Sequence, residues 1–234
     1  MVQKNKPMIR GFMKMTLLDF PGKVACTVFT GGCNLRCPFC HNADIVKNPA
    51  GQNLYDEVME YLSLRRGILE GVCISGGEPL LQPHIGEFMA EIRSMGYSIK
   101  LDTNGTLPEK LKSILEEGLC DYVAMDIKSS PQRYEKATNS EIPFEVFEKS
   151  MEVIRAFGID HEFRTTAVKG IHTPDDFRDI AKLLLPDEKY FVQRFVDSGN
   201  LISKDPAMQA FSPEEMQNIL EILSQKLSRA KLRG

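Results

Sequence analysis

The sequence predicts an α/β fold: a partial (β/α)6 TIM-like barrel of parallel strands with a C-terminal helix. Short apolar, β-rich runs alternate along the chain with amphipathic stretches of helical length, the pattern of parallel βαβ units. About six such units can be counted. An eight-unit barrel typically needs about 250 residues, whereas this chain has 234 and spends roughly the first 22 on an N-terminal lead. No internal repeat, low-complexity tract or linker interrupts the pattern, so residues 1–234 are expected to form one domain.

The strands are expected at Val24–Thr30, Gly71–Gly77, Tyr97–Gly105, Asp121–Lys128, His161–Val168 and Lys189–Val196. Helical periodicity fills Leu54–Arg66, Pro83–Met95, Pro108–Glu117, Phe144–Phe157 and Pro174–Leu185. Thr173-Pro174-Asp175-Asp176 combines an N-cap residue, a proline at the first helical position and early acids. Ser212-Pro213-Glu214-Glu215 has capping-box spacing and opens a final amphipathic helix, expected over about 212–231. That helix can pack on the domain or present its apolar side to a partner.

Composition bounds the function. Hydrophobic residues make up 42% of the chain, enough for a sizeable core, and the net charge of -3 gives no bias toward nucleic acid or acidic membranes. No apolar run approaches the roughly 18 residues of a membrane span. The basic N-terminus, MVQKNKPMIRGF, lacks the apolar core of a signal peptide. The expectation is a soluble cytoplasmic protein. Its thiols stay reduced there, and clustered cysteines then point to metal or catalysis.

In parallel α/β folds, ligands bind at the carboxyl ends of the strands. Four chemically suggestive stretches fall there. GGCNLRCPFCHN follows the first strand, SGGEP the second, DTNG ends the third and MDIK the fourth. The first places Cys33, Cys37 and Cys40 in a C-x3-C-x2-C spacing. A structural zinc site wants four ligands. Cys26 and Cys73 lie inside apolar strands, Cys120 lies at a helix-to-strand junction, and all three suit burial as small hydrophobes. His41 adjoins Cys40, which makes joint ligation of one ion awkward. Iron–sulfur clusters usually take four thiolates. A [4Fe–4S] cluster on three would leave one iron open to a small molecule.

C-x3-C-x2-C with Phe39 before its last cysteine resembles the radical S-adenosylmethionine superfamily. The resemblance implies that the amino and carboxylate groups of S-adenosylmethionine (SAM) chelate the open iron of a [4Fe–4S] cluster on Cys33, Cys37 and Cys40. SGGEP resembles the family's GGE motif, which carries the methionine amino group onto Gly76, Gly77 and Glu78. Asp102, Thr103 and Asp126 resemble a monovalent-cation site beside the methionine carboxylate. Asn104 and Lys128 join them as cofactor-binding residues, with Lys128 near the carboxylate or ribose. Arg164 is a further expected cofactor contact, Gln193 and Arg194 weaker ones. His41 and Asn42 match the family's CHN. His84, His161 and His172 are expected at the surface or at helix starts.

The implied chemistry is one-electron reductive cleavage of SAM to methionine and a 5′-deoxyadenosyl radical, with no protein residue as general base. Flavodoxin or ferredoxin is the implied electron donor. MTLLDFPGKVACTVFTGGCNLRCPFCHN, LDTNG, AMDIK and EFRTT resemble the activating proteins of anaerobic ribonucleoside-triphosphate reductase, which makes that glycyl-radical enzyme the expected partner. LDFPGK replaces the DGPGIR-like lead of pyruvate formate-lyase activases. Such an activase, and a small-molecule enzyme resembling 7-carboxy-7-deazaguanine synthase, are the alternatives. An electron carrier or zinc module would leave SGGEP, DTNG and MDIK without a role.

Overall fold

A computed structural model describes residues 6–197 and 199–233. Residues 1–5 of the expected lead lie outside the described residues. In chain order the elements are β1 (Ile9–Thr16), β2 (Ala25–Thr30), α1 (Ala43–Lys47), α2 (Tyr55–Leu64), β3 (Gly71–Gly76), α3 (Ile85–Ser94), β4 (Ser98–Thr103), α4 (Pro108–Glu116) and β5 (Tyr122–Asp126). There follow α5 (Tyr134–Thr138), α6 (Phe144–Phe157), β6 (Asp160–Lys169), α7 (Pro174–Leu183), β7 (Tyr190–Arg194), β8 (Gln209–Ala210), α8 (Pro213–Ser224) and β9 (Ala230–Arg233).

The chain divides into two compact units. One comprises residues 1–34, 44–124 and 146–160; the other comprises 35–43, 125–145 and 161–234. In the first unit the strand order is β1-β2-β3-β4-β5. β2, β3 and β4 run parallel in register, with Cys26 opposite Val72 and Cys73 opposite Lys100. Four consecutive residues of β2 and of β3 are buried, as expected of strands covered on both faces. Helix α6 turns Phe147, Met151 and Ile154 inward at i, i+4 and i+7 spacing, each almost fully buried.

The second unit holds the end of β5 and then β6, β7 and β9, with β7 parallel to both β6 and β9 and β8 pairing antiparallel to the end of β6. The two helix starts expected in this unit, at Thr173 and Ser212, both form. Pro174 opens α7, with the Thr173 amide donating to Asp176 Oδ2 at 2.7 Å. At α8 the Ser212 amide donates to Glu215 Oε2 at 2.6 Å, and the Glu215 amide donates back to Ser212 Oγ at 3.2 Å.

All six expected strands and five expected helices form, with ends shifted by a few residues. One expectation is extended and one is corrected. The lead, expected only as a segment ahead of the first strand, contains an edge strand, Ile9–Thr16, which pairs antiparallel with β2 through two register shifts. Its alternation was hidden because Met13 and Met15 face outward and Gly11 and Lys14 interrupt the pattern. The final helix ends at Ser224 rather than near 231, and Ala230–Arg233 forms a strand parallel to β7. Ser228 instead makes a turn, its amide donating to Pro186 O at 2.8 Å. Among the described residues, no helix is long and apolar enough to cross a membrane.

Candidate functional site

In the first unit, the exits of β2, β3 and β4 are fastened to one another. The Gly77 amide donates to Thr30 O at 2.9 Å and the Glu78 amide donates to Gly32 O at 2.8 Å. Gly76 has φ +116, and a Cβ on it would lie 2.3 Å from the Thr30 amide nitrogen. A Cβ on Gly77 would lie 1.8 Å from Gly32 O. Both glycines are therefore demanded by the close approach of the GGE turn to the start of the cysteine loop. Gln82 holds the same segment, its Nε2 donating to Gly31 O at 2.5 Å.

Glu78 is fully buried, and burial of a carboxylate is tolerated only with donors around it. It accepts from the Leu80 amide at 3.1 Å, Thr103 Oγ1 at 2.9 Å and the Asn104 amide at 2.7 Å. Asn104 then reaches back to the cysteine loop, with Nδ2 3.5 Å from Cys33 Sγ and 3.1 Å from Asn34 Oδ1. Its Oδ1 accepts from the Thr106 amide at 2.9 Å. The Asx-type turn of DTNG is thus made by Asn104, not Asp102. Ser150 of α6 secures the turn by donating to Gly105 O at 2.7 Å.

Asp102 is engaged differently. Its Oδ1 is ion-paired with the buried ammonium of Lys100, and its Oδ2 accepts from Ser75 Oγ at 3.1 Å. Thr103 Oγ1 donates to Glu78 and accepts from the Gly105 amide at 3.2 Å.

In the second unit, Cys37 is buried and Cys40 half-buried, with the Cys40 amide donating to Cys37 O at 3.1 Å. The Arg36 amide donates to Thr138 O at 2.8 Å, and the Ser203 amide donates to Pro38 O at 3.0 Å. His41 stacks on Phe195 at 5.8 Å between ring centres. Asp126 receives Arg164 Nε at 2.9 Å on one oxygen and Lys128 Nζ at 2.9 Å on the other. Burial alone would raise the Asp126 carboxyl, but the Arg164 guanidinium and the Lys128 ammonium outweigh it and hold it well below the usual carboxylate range. Burial alone would lower the Lys128 ammonium, but Asp126 and the nearby Cys37 and Cys40 thiols raise it above the usual lysine value.

His172 stands at a helix start, just before the Thr173 N-cap of α7, as one of its two expected places had it, and it is buried there rather than at the surface. Its Nδ1 accepts from the Val168 amide at 3.1 Å and its Nε2 lies 2.8 Å from Lys128 O. The first bond fixes the tautomer, so Nε2 carries the proton and steadies the MDIK backbone. Burial pushes this imidazole down from its ordinary value. Arg194 donates through Nε to Phe211 O at 3.1 Å, which gives it a structural partner in the C-terminal segment. His84 and His161 lie at a helix start and half-buried beside Phe163, respectively.

Sequence reasoning missed Lys100, Gln82, Ser150 and His172. Cys26 and Cys73 are fully buried in β2 and β3, and Cys120 is buried before β5. Burial pushes the Cys26 and Cys120 thiols up to about 12, so neither is a ready thiolate. Among the described residues, no three His, Cys, Asp or Glu side chains gather as they would around a single metal ion. Three reduced thiols on a glycine-rich loop have the donor chemistry of an iron–sulfur cluster, whose several irons spread its thiolates apart.

The Radical SAM superfamily profile matches residues 27–184. A Methanocaldococcus jannaschii protein named "Putative glycyl-radical enzyme activating enzyme" is 30% identical over 196 residues, covering 81% of this chain and 80% of that protein. The pyruvate formate-lyase-activating enzyme of Listeria monocytogenes is 35% identical over 138 residues, 53% of this chain and 54% of that enzyme. The chain thus spans about half the length of that relative. Streptococcus suis SuiB bound to S-adenosylmethionine shares the fold, with a TM-score of 0.66 at 14% identity over 87% of this chain and 48% of SuiB.

Proposed function

The chain belongs to the radical SAM superfamily, and from that membership we propose that it is an activase that generates a glycyl radical on a partner enzyme, anaerobic ribonucleoside-triphosphate reductase first among them. The observation that carries this reading is the cysteine loop itself, one thiolate short of a closed set and clasped at its first cysteine by Asn104. Near full-length similarity to a protein named as a glycyl-radical enzyme activating enzyme supports the reaction class.

In this reading the 234 residues work as one domain in the cytoplasm, and Cys33, Cys37 and Cys40 hold a [4Fe–4S] cluster. When bound, cluster and SAM together supply a 5′-deoxyadenosyl radical, given an electron from flavodoxin or ferredoxin. The chain's own residues bind and orient. The carbonyls of the Gly76-Gly77 turn face the methionine ammonium, which needs acceptors, and the buried Glu78 carboxylate fixes that turn and the Asn104 turn in place. Lys128 and Arg164 supply positive charge for the methionine carboxylate or the ribose, and Asp126 holds both in place. Asp102, Thr103 and Asn104 complete the wall. The cation expected beside Asp102 meets an obstacle in the Lys100 ammonium.

A pyruvate formate-lyase partner is the second reading, favoured by the 35% identity to that activase. Anaerobic reconstitution with iron and sulfide, followed by SAM, reductant and each candidate partner, tests both. The expected result is a glycyl-radical doublet by electron paramagnetic resonance on the reductase. A doublet on formate-lyase alone would select the second reading. Robust turnover of a purine or pterin substrate with no doublet on either would move the chain to the small-molecule class.

A further inference from the structure

Lys100 lies in the middle of β4, and its side chain is 1% exposed. Its ammonium is ion-paired with Asp102 Oδ1 and lies 3.8 Å from Cys73 Sγ, directly across from it in register. The other oxygen of Asp102 accepts from Ser75 Oγ at 3.1 Å. A buried ammonium is tolerated only with a partner. This corner of the first unit is therefore built around one positive charge, and the chain supplies that charge itself.

The resemblance expects a monovalent cation on Asp102, Asp126 and Thr103. None of the three is arranged for one, and the two oxygens of Asp126 are already divided between Arg164 and Lys128. Thr103 Oγ1 is committed between Glu78 and the Gly105 amide, and a second cation at Asp102 would sit against the Lys100 ammonium. In a poorly solvated corner that repulsion is strong. We propose that the Lys100 ammonium takes the place of the monovalent cation, so that this protein binds the cofactor carboxylate without bound sodium or potassium. A lysine ammonium is a compact point charge, the property a small cation would otherwise contribute. The inference rests on the SAM-binding reading above.

The test is calorimetric titration of the cluster-loaded protein with SAM under anaerobic conditions, which reads affinity without turnover. Buffers of potassium, sodium and choline chloride at equal ionic strength keep general screening constant. The wild type is expected to bind SAM equally well in all three. Lys100→Met is expected to bind about tenfold more weakly in choline, the usual scale of coupling between sites, and to recover in potassium or sodium. Thermal unfolding gives a second readout on the cluster-free protein. Potassium should raise the Tm of Lys100→Met in a saturable way relative to choline, and leave the wild type unmoved. Lys100→Gln carries the same measurements if the methionine variant is insoluble.

Wild-type binding that needs potassium or sodium would overturn the proposal. So would a Lys100→Met protein that binds SAM normally in choline. Wild type that binds no SAM in any salt would bring down the radical SAM reading itself. A loss confined to the Lys100 variants leaves that reading standing.

Discussion

The two compact units order their candidate residues in different ways. In the first, order comes from hydrogen bonds converging on one buried carboxylate. Glu78 accepts from three donors, and the chain it organises ends at Cys33 through Asn104. In the second, order comes from an ion triad, with Arg164 and Lys128 dividing the two oxygens of Asp126. Charge separates them further. The first set holds two carboxylates, Glu78 and Asp102, against the single ammonium of Lys100. The second holds two cations against one carboxylate. A methionine moiety carries one ammonium and one carboxylate. The acid-rich set suits the first and the cation-rich set the second, which is why the proposed roles fall to the Glu78 turn for the ammonium and to Lys128 and Arg164 for the carboxylate.

The cysteines give the largest expected effect, and they span this division in sequence. Cys33→Ala, Cys37→Ala and Cys40→Ala should each abolish SAM cleavage and strip iron from the purified protein, measured by iron analysis and the visible spectrum. Cys73→Ala should keep both, at the cost of packing and of its contact with the Lys100 ammonium. A Cys73 variant that lost the cluster would restore a fourth protein thiolate and break the reading of the loop.

Carboxylate neutralisation sharpens the contrast. Asp126→Asn leaves a guanidinium and an ammonium, both less than one quarter exposed, without their counter-charge. Breaking such a pair is expected to cost about 3 kcal/mol in chemical unfolding. Glu78→Gln keeps one acceptor oxygen but turns an amide toward donors, at about 2 kcal/mol. SAM affinity should fall in both. Equal losses of stability would mean that hydrogen bonding and ion pairing hold their respective sets with the same strength.

Acid should act on the second set in two stages. His172 is held below its ordinary pKa by burial, so the stability it contributes is present above the unfolded value near about 6.5 and is lost as pH falls below it. Asp126 is also depressed, so its contribution is present above the unfolded carboxylate range and lost only in strong acid. Unfolding free energy is therefore expected to start falling near about pH 6.5 as the unfolded chain takes up a proton that the buried imidazole resists. His172→Gln should flatten that limb. An unchanged limb would assign the acid sensitivity elsewhere.

Much of the fold was legible because parallel strands buried on both faces are read as apolar runs, and capped helices announce their starts. Val24–Thr30 and Ser212–Glu215 are examples. The edge strand Ile9–Thr16 was not, because its outward methionines erase the alternation. In the site, the cysteine spacing and the two glycines were legible because few residue types can meet those demands. Lys100 was not, for a physical reason. SIKLDT alternates like a half-exposed strand, which puts Lys100 and Asp102 on one polar face. That face is covered, and the two charges survive there by pairing with each other. His172 was hidden likewise, since a lone histidine before a helix gives no sign that its ring will be enclosed.

The smallest expected effect tests how the first set keeps its shape. Ser150 sits on α6, fully buried, and donates to Gly105 O at 2.7 Å from a helix that otherwise contributes apolar packing. Ser150→Ala removes one neutral hydrogen bond, worth about 1 kcal/mol, and leaves a buried carbonyl short of a donor. For a chain of this size the Tm should fall by about 2–4 °C. If the Asn104 turn owes its position to α6, SAM affinity should fall with it, since the turn carries both the Glu78 partner amide and the contact to Cys33. If the Tm falls and SAM affinity does not, the bonds to Glu78 fix the turn by themselves, and α6 serves the core alone.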